Sequence, residues 1–146
     1  MTHGRKGAAV ATAGAILLLA VGTRAEVVGG RPAHRAQTVN VQMIGDAKGN
    51  RFVPASISIH VGDLVTWTNV SGAHNVVFWS DSIPAGTQAI LQGKMGATMG
   101  PLTGPLFAAP NATYTVSFAG LKAGTYKYYC LPHLALGMRA QVVVQP

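Results

Sequence analysis

The residues with the most chemistry in this chain stand within one short segment, Cys130-Leu-Pro-His133-Leu-Ala-Leu-Gly-Met138. It offers a thiolate, an imidazole and a thioether. Soft sulfur donors of this kind select copper, whereas magnesium, calcium and manganese take oxygen. Zinc uses cysteine, histidine and carboxylate and has little use for a thioether. A copper site built here needs a second imidazole, and His74, at the head of the apolar run His74-Asn-Val-Val-Phe-Trp79, is the best-placed candidate. One cysteine, two histidines and a weak, long methionine contact are the donors of a blue-copper site, which passes single electrons.

Taken singly, these residues say little. A lone cysteine is more often a small buried hydrophobe, and a lone methionine more often core. A cysteine that finds a histidine and a methionine at two fixed offsets does so by chance about once in a thousand, so the spacing carries the argument. Cys130 is the only cysteine, which excludes an intrachain disulfide framework and a cysteine-rich zinc module. Catalysis is not expected. A multicopper cluster needs His-x-His or His-Cys-His patterns, and neither occurs. A Cys–His hydrolase would need Cys130 as a free nucleophile with an orienting third group. The rival that stays open is a copper carrier or chaperone without redox turnover. Met43, Met95 and Met99 offer it further soft donors, although methionine in a β core or a loop is commoner. His34 and His60 are expected to face solvent or to be satisfied locally.

The elements that must aim these donors are strands. Apolar residues alternate at Val39/Val41/Met43, Ile57/Ile59/Val61, Val65/Trp67, Tyr114/Val116/Phe118 and Tyr126/Tyr128/Cys130. Such alternation marks half-buried strands. Gly62-Asp63 and Ala123-Gly124 are turn signals between neighbouring runs. The runs 74–79 and 141–145 are continuously apolar, as strands covered on both faces are. Cys130 to Met138 then falls between the strand ending at Cys130 and the last strand, in a loop that can converge its donors. Between Ser80 and Asn111 lies a long stretch with five glycines and four prolines, holding one short helical piece around Gln88 to Lys94. The pattern predicts an all-β, antiparallel sandwich of seven or eight strands over residues 38–146.

The chain has 146 residues, enough for one domain and a leader. The leader is expected over residues 1–25: Arg5 and Lys6 precede an uncharged run, Ala8 to Val21, shorter than the roughly 20 residues that span a bilayer. It reads as a cleavable signal peptide, with an uncleaved anchor as the alternative. Residues 26–37 read as a flexible lead-in. Without residues 1–25, eight basic residues face four acidic ones (Glu26, Asp46, Asp63, Asp81), a net charge of +4. The basic residues are scattered, with no basic helix or aromatic–basic alternation, so nucleic-acid binding is not expected. The expected setting is secreted or periplasmic, without stable membrane insertion after cleavage of the leader.

Val61-Gly-Asp-Leu-Val-Thr-Trp-Thr-Asn-Val-Ser-Gly-Ala-His-Asn-Val-Val-Phe-Trp79 and Thr125-Tyr-Lys-Tyr-Tyr-Cys-Leu-Pro-His-Leu-Ala-Leu-Gly-Met138 together resemble the plastocyanin-like cupredoxins. The resemblance covers residues 38–145. It implies a Greek-key sandwich with one copper ion, held equatorially by His74, Cys130 and His133 and axially by Met138. It implies that Asn75 ties the two ligand segments together, since groups around the ligands fix their orientation and tune the metal. In the family the second loop histidine shows its ring edge at one end of the sandwich. Here that is His133, collared by Leu131, Pro132, Leu134 and Leu136, an apolar patch suited to brief docking of a redox donor and acceptor by a monomeric carrier. The chain departs from plant plastocyanins in having no acidic patch and in the Gly/Pro-rich stretch from Lys94 to Pro110, so a photosynthetic role does not transfer with the fold.

Overall fold

The computed structural model describes residues 1–4, 7 and 34–146. The leader expected over 1–25 and the lead-in over 26–37 lie outside the described residues, apart from 1–4, 7 and 34–37. The described residues hold eight strands: β1 (Thr38–Asp46), β2 (Gly49–Val53), β3 (Ser56–His60), β4 (Leu64–Ser71), β5 (Val77–Phe78), β6 (Thr113–Ser117), β7 (Gly124–Tyr129) and β8 (Arg139–Gln145). Among the described residues there is one α-helix, α1 (Gln88–Lys94), the piece expected from sequence. The strands form two four-stranded sheets, ordered β2-β1-β4-β6 and β3-β8-β7-β5. This is the two-sheet, all-β sandwich that the sequence pattern predicts.

Pairing is not wholly antiparallel as the sequence suggested: β1 pairs with β4, and β3 with β8, in parallel. The reason lies in the route of the chain. It leaves the first sheet after β2, runs through β3 in the second sheet, and re-enters the first as β4 heading the same way as β1. A parallel neighbour always needs such a crossover, and here a strand of the facing sheet supplies it.

The period-two alternation fills the space between the sheets. Val41 and Met43 of β1, Ile57 and Ile59 of β3, Val65 and Trp67 of β4, Val116 of β6, Tyr126 and Tyr128 of β7, and Val142 and Val144 of β8 are all buried. Trp67 lies at the centre, edge-on to Tyr128 at 5.4 Å and to Phe78 at 6.2 Å between ring centroids. Edge-to-face pairs of this kind add about 0.5–1.5 kcal/mol each beyond the area they bury. Met43 and Met95 belong to this core and Met99 is exposed, so these three methionines do not share one environment.

The run 74–79 is only in part a strand. Residues 74–78 are buried, but β5 is limited to Val77–Phe78, paired with β7. The rest of its backbone bonds to the Gly/Pro-rich stretch. His74 and Phe107 exchange two bonds of 2.9 and 2.8 Å, Gly104 N donates to Val76 O at 2.8 Å, and Phe78 N to Leu102 O at 3.0 Å. A buried edge leaves backbone groups that must find partners, and this stretch provides them.

Candidate metal centre

β4, β7 and β8 carry the donors to one pole of the sandwich. In β7 the inward phase is Tyr126, Tyr128, and the next residue in phase is Cys130, just past the strand end. Its thiol is therefore buried. β4 ends at Ser71, and the chain turns through Gly72 in the left-handed region (φ +87°) to bring His74 back over the same pole. Only a residue without Cβ fits that turn. A Cβ on Gly72 would lie 2.9 Å from His74 Nε2.

Three donors converge. Cys130 Sγ lies 3.6 Å from His74 Nδ1 and 3.4 Å from His133 Nδ1. Ligands at metal–nitrogen and metal–sulfur distances of about 2.0–2.3 Å, with angles near 110°, stand about 3.5 Å apart. The observed separations fit a single ion among the three. The tautomer of His74 fits as well. Its Nε2–H donates to the Ser71 carbonyl at 2.9 Å, which leaves the Nδ1 lone pair facing the thiol. Burial, joined by the repulsion of His133, holds the His74 imidazole below its ordinary pKa, against the Ser71 contact that raises it. It therefore favours the neutral form that binds metal. Burial pushes the Cys130 thiol up, partly offset by the backbone N–H groups of Asn75 and His133. A soft cation is the natural means of holding such a thiolate.

The segment between Cys130 and Met138 is tighter than a plain loop. Leu131–Leu136 forms two 3-10 turns kinked at His133 (φ −118°, ψ 16°) and closed by Gly137 at φ +83°. Cys130 N donates to Met138 O at 3.1 Å, His133 N to Cys130 O at 3.2 Å, and Met138 N to His133 O at 3.2 Å. Met138 is buried and is bonded through its backbone to both Cys130 and His133. Asn75 is buried too, and its Oδ1 accepts the Leu131 N–H at 2.8 Å, joining the two donor segments. His133 is half-buried, with its ring centroid 4.9 Å from that of His74. Around it Leu131 is 55% and Leu136 70% exposed, Pro132 is exposed and Leu134 half-buried. Sequence reasoning missed Ser71, Gly72 and Phe107, which fix His74. Each acts through backbone atoms or a missing Cβ, and nothing in residue type announces that.

Comparison with known proteins agrees with this geometry. Residues 39–145 match the family model described as "Copper binding proteins, plastocyanin/azurin family". The chain is 38% identical over 120 residues to the chloroplastic plastocyanin of Tetradesmus obliquus, covering 82% of this chain and 75% of that one. It is 37% identical over 107 residues to the plastocyanin of Solanum crispum, covering 73% and 99%. Among solved structures, the oxidized form of plastocyanin from Dryopteris crassirhizoma superposes with a TM-score of 0.56 at 29% identity, over 73% of this chain and all of that one. The chain belongs to the plastocyanin/azurin family of copper-binding proteins, as a plastocyanin-like cupredoxin whose cofactor is one copper ion.

Proposed function

We propose that this protein is an exported, monomeric carrier of single electrons, with His74, Cys130 and His133 as the principal copper ligands and Met138 as the weak fourth. The observation that carries the reading is the buried Cys130 thiol with two imidazole Nδ1 atoms 3.4 and 3.6 Å away. Bound copper supplies one-electron exchange between Cu(I) and Cu(II). Everything else is the work of the chain. Ser71 fixes the rotation and tautomer of His74. Asn75 holds the Leu131 end of the second segment against the first. The burial of Cys130, His74 and Met138 keeps water from the sulfur. His133, half-buried at the end of the sandwich, is the exit toward a partner. Leu131, Pro132, Leu134 and Leu136 form the apolar collar on which a redox donor or acceptor docks. No substrate is transformed. Among the described residues no helix is long and apolar enough to cross a membrane, and export rests on the leader read from the sequence.

The test is a copper-loaded, oxidised sample. An intense visible thiolate-to-copper band at one copper per chain, bleached by a reductant and restored by an oxidant, is the expected result. A colourless protein holding only Cu(I), or one that prefers zinc, would instead make the chain a metal carrier without turnover. N-terminal sequencing of the exported protein checks the leader, with a new terminus near residue 26 expected.

A further inference from the structure

At the pole opposite the copper donors, His34, His60 and Asp63 come together, and one donor atom of each lies within 4.8 Å of the other two. β4 separates the poles. It starts at Leu64, next to Asp63, and ends at Ser71, which holds His74. Eight strand residues rise about 25 Å. The carboxylate is buried and fully ordered by the chain. Asp63 Oδ1 accepts from Gln37 N at 2.8 Å and from His34 Nε2 at 2.6 Å, and Oδ2 accepts from His60 N at 2.8 Å. The two imidazoles are exposed and face one another, with ring centroids 4.6 Å apart.

We propose that these three side chains form a second metal site, for a borderline divalent cation of the zinc class, distinct from the copper centre. Two imidazoles and one carboxylate, with no sulfur, suit zinc, whereas calcium and magnesium demand oxygen throughout. Three protein ligands leave the remaining position to water. Asp63 is oriented by the backbone N–H groups of Gln37 and His60 and keeps lone pairs for an ion, as a well-supported ligand does. Inserting a metal between His34 and Asp63 widens their 2.6 Å contact by less than about 1 Å, given bond lengths of about 2.0–2.2 Å. His34 sits on an irregular, exposed segment that can retreat by that much. The bound ion would clamp the segment before β1 onto the β3–β4 turn. The proposal stands apart from the copper reading: zinc taken up at His34 and His60 by a chain that held no copper would still sustain it.

Equilibrium dialysis of the copper-loaded protein against Zn2+, with both metals counted by elemental analysis, is the test. The expected result is one zinc per chain with copper content unchanged. His34→Gln and His60→Gln should each weaken zinc uptake about tenfold or more while keeping the visible band. Both side chains are exposed, and thermal melts of the zinc-free variants check that the fold is kept. No zinc uptake, zinc that enters only by displacing copper, or uptake unchanged in both variants would overturn the proposal.

Discussion

Gly72→Ala is the sharpest probe of how the chain holds its first imidazole. Two costs follow from the structure. The residue has φ +87°, and an alanine there meets the left-handed penalty of about 1–2 kcal/mol. Its Cβ would stand 2.9 Å from His74 Nε2 and 3.6 Å from the Gly45 Cα, so something must move. His74 is fully buried and bonded at its backbone to Phe107, which leaves the imidazole to tilt away from the Ser71 carbonyl. Losing that bond costs about 1 kcal/mol more. The metal-free protein should therefore lose about 2–3 kcal/mol, a fall in Tm of about 8–12 °C for a domain of this size. Tilting the ring also moves Nδ1, so the copper-loaded protein should show a weakened or shifted visible band. Gly120→Ala separates the two costs, because Gly120 has φ +77° but open space around it. That variant should lose only the backbone term and keep the band of the unaltered protein. Thermal and urea unfolding with and without copper, alongside visible spectra, reads all of this. If Gly72→Ala matched Gly120→Ala in stability and kept an unaltered band, the claim that Gly72 makes room for His74 would be wrong.

Other perturbations reach different parts of the same design. Cys130→Ala should abolish the visible band, whereas Met138→Gln should keep copper and lower the reduction potential; an unchanged potential would remove Met138 from the site. Asn75→Ala leaves the Leu131 N–H without its partner and should cost about 1–3 kcal/mol by urea titration, with faster loss of copper to a chelator. Stability at equal copper loading that matched the unaltered protein would argue against a tie between the segments. For Asp63, burial raises the carboxyl pKa, but the Gln37 N–H, the His34 ring and the His60 N–H outweigh it and hold it below the ordinary 3.8. A depressed folded-state value means that the stabilisation is present above 3.8 and fades as pH falls through the folded value. Asp63→Asn should thus be less stable at neutral pH, with the gap closing in acid. A gap constant with pH would deny that the charge matters.

The parts of this molecule that alternation governs could be read directly from the residues. Tyr126, Tyr128 and Cys130 share one phase, so a strand there had to carry the thiol inward. The short helical piece expected around Gln88 to Lys94 is likewise the helix α1. Other parts depend on partners that lie far away in the chain. β2, Gly49-Asn-Arg-Phe-Val53, has only one buried residue, Phe52, and so carries no repeat that marks a strand. The run 74–79 reads as a full strand because it is apolar almost throughout, yet only Val77–Phe78 is strand and its edge is covered by residues 102–107, which belong to a stretch whose glycines and prolines suggest only a loop. Parallel pairing of β1 with β4 leaves no local trace, because it is set by the crossing of β3. His34 and Asp63 are 29 residues apart, and the hydrogen bond between them could not be inferred from either neighbourhood.

These two kinds of legibility bear on how the centre works. Donor identity sits in side chains and can be read from sequence; donor orientation sits mostly in backbone bonds and cannot. His74 is held through its backbone by Phe107 and through Nε2 by Ser71, and Cys130 through its backbone by Met138. The Asn75–Leu131 bond then locks the two segments to each other across 56 residues of sequence. Orientation imposed in this way belongs to the sandwich, so a donor side chain cannot shift without disturbing strands β4 and β7 behind it. One-electron exchange is fastest where the surroundings rearrange least, and a packed β core with few voids deforms little. A flexible copper-transfer loop would need the opposite, donors that can let go one at a time. The dense backbone bonding around Cys130, His133 and Met138 therefore favours an electron carrier over a metal donor, and copper exchange with a chelator on the timescale of redox turnover would refute that inference.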